Sequence, residues 1–293
     1  MFKGSIPAVI TPFDKNKSID FDMLNSHIDF LINEESHGLV SCGTTGESPT
    51  LDHEEHKKIT EAVIKRSNKK VPVMAGCGSN STKESIEFVK HAKSQGADAS
   101  LIVSPYYNKP SQEGLFQHFK EIANCVPSLP VYLYNIPGRS VVNIDSDTMK
   151  KLSKIENIVG VKDATSDLSV PLETILKCGK EFIQLSGEDA TFLSFLISGG
   201  KGCISVSANV IPKLCSRIYS FWNQGKIKEA MEINEFIYPL NKVLFVESSP
   251  SPVKYALSLM KRCENNLRSP MVSISEENKI LIKDVMKALE LIN

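Results

Sequence analysis

Short apolar runs recur at residues 5–11, 38–42, 71–77, 100–103, 131–134, 158–161, 182–185 and 203–206. None alternates strictly between apolar and polar residues, the pattern expected of strands buried on both faces of a parallel sheet. Between the runs, apolar residues fall at helical spacing. Examples are Leu24, Ile28, Leu31 and Ile32, then Ile59, Val63 and Ile64, then Ile86, Val89 and Ala92. Leu115, Phe119 and Ile122 continue the series, followed by Met149, Leu152 and Ile155, and by Leu172, Ile175 and Leu176. Asp52 and Glu55 have capping-box-like spacing, and Ser81-Thr82-Lys83-Glu84 is an S/T-x-x-E box. Eight strand–helix units predict an α/β fold, a (β/α)8 TIM barrel. A doubly wound open sheet fits less well, because the first run ends in "ITPF" and not in a Gly-rich dinucleotide turn. Past residue 210 the strand-like runs fade, and 214–221, 227–237, 253–259 and 276–291 predict additional C-terminal helices. The expected organisation is a barrel over residues 1–210 and a C-terminal helical extension over 211–293 packed on it.

Composition narrows the class. The chain is 41% hydrophobic and 23% charged, with Lys+Arg and Asp+Glu both at 34 and no net charge. That balance gives no electrostatic footprint for nucleic acid or an anionic membrane. The seven cysteines (42, 77, 125, 178, 203, 215 and 263) are odd in number and include no CxxC pair. They read as reduced thiols of a cytoplasmic protein. Pro7, Pro12 and Asp14 interrupt the apolar N-terminus, and no stretch approaches the roughly 18 apolar residues of a membrane span. A soluble, unprocessed chain is expected.

Barrel active sites form where strands end and βα loops begin. Lys162 follows the apolar "IVGV" directly and is the sharpest candidate there. Low dielectric disfavours an ammonium group, and a neutral amine attacks carbonyls to give Schiff bases. The strand pattern alone leaves two other readings open for Lys162: a side chain reaching solvent, or a pair with Asp163 or Asp167. Tyr134 ends "VYLY" and fits equally a core tyrosine with a satisfied hydroxyl. Arg139 stands in the "NIPGRS" turn, where its planar fork suits a carboxylate or simply faces water. "GTTGES", with Thr44 and Thr45, offers N–H groups and hydroxyls to an anion or a proton relay, or else forms a tight turn. His53-Glu54-Glu55-His56 lacks the HExxH spacing and a third ligand, so no metal is expected. "GGKG" lacks P-loop spacing.

Taken together, "GTTGES", "SPYYNKPSQEGLFQHF", "YNIPGR", "GVKDA", "LSGED", "GCISVSAN" and "LFVESSPSPVK" resemble the dihydrodipicolinate synthase family of the N-acetylneuraminate lyase superfamily. The likeness runs in the same order over nearly the whole chain. It implies a lyase of lysine (diaminopimelate) biosynthesis, condensing pyruvate with L-aspartate-4-semialdehyde without a cofactor beyond a covalent imine at Lys162. Catalytic roles are implied for Lys162, Tyr134, Thr45 and Tyr107, the last delivered from a neighbouring subunit. Substrate contacts are implied for Thr44, Thr45, Arg139, Gly187 and Ile204. Ser48, His53, His56, Asn80, Glu84 and Tyr106 match an allosteric site for L-lysine, which gives the "HEEH" histidines an effector in place of a metal. The resemblance also implies a homotetramer built as a dimer of dimers.

Departures are modest. Ser140 and Val141 stand where the family more often has threonine and a small residue. Ser249 and Ser251 replace a frequent asparagine and aliphatic. Another pyruvate-dependent class I aldolase, such as a sialic-acid or sugar-acid lyase, is the enzymatic alternative. Arg139 and the paired threonines argue against it. A non-catalytic amino-acid-binding barrel is the remote alternative.

Overall fold

A computed structural model describes every residue from Met1 to Asn293. The strands are β1 (Gly4–Pro7), β2 (Leu39–Ser41), β3 (Val73–Gly76), β4 (Ala99–Val103), β5 (Val131–Asn135), β6 (Ile158–Asp163), β7 (Ile183–Ser186) and β8 (Gly202–Ser205). They form one sheet in the order β1-β8-β7-β6-β5-β4-β3-β2. Ala8 makes a parallel bridge to Val40 just beyond β1, and the Val9 N–H donates to the Val40 carbonyl at 2.9 Å. The fold is the expected (β/α)8 barrel with additional C-terminal helices. No helix is long and apolar enough to cross a membrane.

Every strand differs from its predicted bounds by one to four residues at an end, and the shifts of β1 and β6 bear on the rest. β1 stops at Pro7, short of Thr11, and only isolated pairing at Ala8 and Val9 continues beyond it. β6 runs past Val161 to Asp163, because both neighbours continue to pair with it. Lys162 is in register with Tyr134 of β5 and with Leu185 of β7. Lys162 therefore belongs to the strand and does not merely follow it.

The chain divides into two compact units, Met1–Lys3 with Pro72–Ile204, and Gly4–Val71 with Ser205–Asn293. In the first, β3 to β7 pair in parallel with nearly every position buried. Gly160 has a specific cause. A Cβ there would meet the Ile183 carbonyl at 2.3 Å and the Tyr132 ring at 2.9 Å. Tyr132 pairs with Gly160 in register, so the missing side chain of one makes room for the ring of the other.

In the second unit, Asp52 closes a full capping box with Glu55 at the start of the helix His53–Ser67. The four expected C-terminal helices form as Pro212–Asn223, Ile227–Val243, Ser251–Leu259 and Glu276–Ala288. His27, on the helix Phe21–Asn33, is buried with its Nε2 3.1 Å from the Asn209 carboxamide oxygen.

Burial pulls two histidines well down from 6.5, His27 and, in the first unit, His118, each to about 4. Above pH 6.5 neither folded nor unfolded chain protonates them. Below it the unfolded chain takes up protons that the folded chain refuses until about pH 4. Stability is thus expected to fall with pH across that window, by about 1.4 kcal/mol per pH unit for each histidine. Urea unfolding at pH 7, 5.5 and 4.5 measures this, and His118→Gln should flatten the decline. An unchanged midpoint across the window would contradict the assignment.

Candidate active site

Strand periodicity builds the centre of the site. Successive side chains alternate between faces, so Gly160 and Lys162 of β6 share one face, as do Tyr132 and Tyr134 of β5. Parallel pairing places Tyr132 beside Gly160 and Tyr134 beside Lys162. The Lys162 ammonium sits 4.1 Å from the Tyr134 ring centroid, a cation–π distance. Lys162 is only 7% exposed, so it does not reach solvent. It does not pair with the neighbouring aspartates either. Asp163 accepts hydrogen bonds from the Thr165 N–H and Oγ1, both at 2.7 Å, and Asp167 accepts from Ser169. Burial pushes the Asp163 carboxyl up, against the opposing effect of the Thr165 bonds.

Gly187, just past β7, lets its neighbours pack close by lacking a side chain. A Cβ there would meet Ala164 Cβ at 2.7 Å and Lys162 Cε at 3.0 Å. Its N–H donates to the Asp163 carbonyl at 2.6 Å, tying the loop to the end of β6. Ile204 is buried on β8. The structure thus brings Lys162, Tyr134 and Gly187 into direct proximity.

Other expected residues lie in the segments that follow β3, β4 and β5. Arg139 lies exposed in the short helix Pro137–Ser140 that follows β5. The Ser140 hydroxyl lies 2.9 Å from both the Ile136 and Val142 carbonyls, so this departure from the family pattern serves the turn. Tyr107 is 89% exposed and has a left-handed backbone, φ +74°. Next to it the Asn80 carboxamide donates to the Tyr106 carbonyl at 3.2 Å, and Asn108 donates to the Asn80 carbonyl at 2.9 Å. Ser81 caps the helix Thr82–Ser94 by accepting the Glu84 N–H.

In the second unit, Thr44 is half-buried and Thr45 buried. Ser48 opens a 3-10 turn, and His53 and His56 lie in the first turn of the His53–Ser67 helix, His53 exposed and His56 buried.

A buried primary amine against a phenol ring is an arrangement suited to carbonyl chemistry. Comparison with known proteins agrees. The model of the Dihydrodipicolinate synthetase family matches residues 1–289. The chain belongs to the dihydrodipicolinate synthetase family. A 4-hydroxy-tetrahydrodipicolinate synthase of Bradyrhizobium diazoefficiens is 48% identical over 292 residues, covering 100% of this chain and 98% of that protein. The chloride-inhibited dihydrodipicolinate synthase of Acinetobacter baumannii, solved with pyruvate, is 40% identical with a TM-score of 0.97, covering 100% of both chains. The enzyme of Cyanidioschyzon merolae, solved with lysine bound, is 35% identical with a TM-score of 0.96, covering 99% of both chains. The family assigned from the motifs is therefore the right one.

Sequence reasoning assigned no role to one group of residues in this family member. Lys254 Nζ lies 2.5 Å from Glu47 Oε1, and both side chains are buried. Burial pulls the Lys254 amine below its ordinary value, and Glu47 acts in the opposite direction. "GTTGES" and "SPVK" were legible as motifs, but 207 residues separate the partners, and no periodicity pairs positions so remote.

Gly187→Ala is expected to fold and to displace Lys162. Its borohydride-trappable adduct with pyruvate should form about a hundredfold more slowly, the effect of roughly 1 Å of misplacement. An unchanged trapping rate would show that the Gly187 space is unnecessary.

Proposed function

We propose that this chain condenses pyruvate with L-aspartate-4-semialdehyde to give 4-hydroxy-tetrahydrodipicolinate, in the lysine (diaminopimelate) pathway. The observation that carries the reading is the buried Lys162 amine, 4.1 Å from the Tyr134 ring centroid at the C-terminal end of β6. Its family relatives have this activity, and one was solved with pyruvate.

Lys162 Nζ adds to the ketone carbon of pyruvate, and the carbinolamine loses water to give the imine. Loss of a methyl proton gives the enamine, whose carbon attacks the aldehyde carbon of the semialdehyde. The aldehyde oxygen takes up a proton to become the product hydroxyl. The semialdehyde amine then adds to the imine carbon, closes the ring and expels the Lys162 amine. The covalent imine is the only electron sink this sequence needs, so no metal or further cofactor is invoked.

Tyr134 shuttles these protons through a relay with Thr45 and Tyr107. Thr44, Gly187 and Ile204 hold pyruvate, and Arg139 takes the semialdehyde carboxylate through a bidentate fork. The exposed Tyr107 supports delivery to a neighbouring copy, and hence a homo-oligomer, which the family likeness makes a dimer of dimers. Ser48, His53, His56, Asn80, Glu84 and Tyr106 form the site for L-lysine as feedback inhibitor, supported by the relative solved with lysine bound. The enzyme works in the cytoplasm.

Borohydride reduction with pyruvate should add a pyruvate-derived mass to the peptide containing Lys162, and Lys162→Ala should abolish it. An adduct on another lysine would sink the mechanism, and an adduct without turnover of aspartate semialdehyde would favour a different aldolase. Millimolar L-lysine should inhibit the native enzyme, and Glu84→Ala should relieve that inhibition. Activity indifferent to lysine would remove the effector site.

A further inference from the structure

The loop after β2 is held in an uncommon shape. Cys42 and Glu47, on either side of Gly43-Thr44-Thr45-Gly46, both have positive φ, +49° and +55°. Non-glycine residues occupy that region at a cost and stay there only when their surroundings over-determine them. Inside the loop, the Gly46 N–H donates to the Gly43 carbonyl at 3.0 Å and the Glu47 N–H to the Thr44 carbonyl at 3.1 Å. Thr11 Oγ1 donates to the Gly46 carbonyl at 2.7 Å.

The outer restraint is a set of charges from the far end of the chain. The Glu47 carboxylate accepts from Lys254 Nζ at 2.5 Å and from the Arg268 N–H at 3.2 Å, so both its oxygens are engaged. Lys254 Nζ also donates to the Asn266 carbonyl at 2.8 Å and lies 4.1 Å from the Phe13 ring centroid. The Arg268 guanidinium forks onto Glu55 at 2.5 and 2.7 Å and donates to the Thr50 carbonyl at 3.1 Å and the Lys17 carbonyl at 2.9 Å. The loop is thus fastened at Glu47 and again at Thr50.

A buried ion pair is a poor source of stability, since apolar residues of the same volume do as well or better. What it supplies is direction. The bonds to Gly46, Glu47 and Thr50 fix oxygens of the segment immediately following Thr44 and Thr45. A change of φ at Glu47 turns its fixed side chain relative to its own N–H, which donates to the Thr44 carbonyl.

We propose that Glu47, Lys254 and Arg268 are positioning residues that set the Thr44–Thr45 segment for proton transfer in the reaction. This rests on the reading that Thr45 belongs to the relay. The cluster touches no substrate. It acts through the loop alone, and its loss leaves Lys162, on a different strand, able to form the imine.

The test compares Arg268→Lys, which keeps the charge but loses the fork onto Glu55, with Glu47→Gln and Thr45→Val. Three measurements are made on each full-length variant: the melting temperature, borohydride trapping of pyruvate on Lys162, and exchange of the pyruvate methyl hydrogens in deuterium oxide by proton NMR. Arg268→Lys and Glu47→Gln should trap pyruvate normally. Their methyl exchange and kcat should fall about tenfold to a hundredfold, as for small misplacements of a reacting group, with KM for pyruvate unchanged. A purely structural cluster would lower the melting temperature and leave exchange per folded molecule intact, and that result overturns the proposal. If Glu47→Gln does not fold, Arg268→Lys decides alone. If Thr45→Val exchanges at the native rate, the relay reading fails, and the positioning proposal falls with it. Slow exchange in Thr45→Val with native exchange in Arg268→Lys overturns the positioning proposal only.

Discussion

The registers of β5, β6 and β7 bury the Lys162 amine and set it against a tyrosine ring, and the proposed chemistry depends on that contact. Because the strand repeat is two residues, Gly160 and Lys162 are committed to the same face. Pairing in parallel with β5 then sets a tyrosine against each of them. At the lower level Tyr132 fills the space that Gly160 leaves. At the upper level Tyr134 lies beneath the Lys162 ammonium and Gly187 leaves room for its methylene chain. One glycine permits close strand packing and the other permits chemistry. A one-residue slip of β6 would turn Lys162 out of the barrel and break both levels at once.

Electrostatics is divided between two kinds of surroundings. The groups proposed to make and break bonds, Lys162 and Tyr134, are buried, where few competing dipoles surround them. Those proposed to recognise charge or reach another copy, Arg139 and Tyr107, are exposed at loop positions. This matches what each task needs. Bond-making benefits from low dielectric, and carboxylate capture benefits from a site open to diffusing anions.

The second unit shows how a strained loop is kept in shape. Helix propensity and apolar packing account for its helices, but neither could hold Cys42 and Glu47 at positive φ. Directed bonds from Lys254 and Arg268 fix the Glu47 carboxylate and extend to Glu55 at the start of the His53–Ser67 helix, while the Cys42 thiol donates to the His56 carbonyl. The Phe13 ring beneath both cations shields the cluster from water.

Most of the architecture was legible in the chain. The eight apolar runs and the helical periods between them are local patterns, and local patterns fix element type. Asp52 and Ser81 likewise announced two helix starts, because a cap acts within four residues. What periodicity could not determine was register, and register decides whether Lys162 meets solvent, an aspartate or a tyrosine. Nor could it reveal Lys254 against Glu47, whose partners lie 207 residues apart. Local patterns in the chain set which segments become strands and helices and which residue types are available for imine chemistry. Which of those residues meet depends on how the elements pack. Contacts across long sequence separations are set by the packing of whole elements, and no short stretch of chain encodes that packing alone.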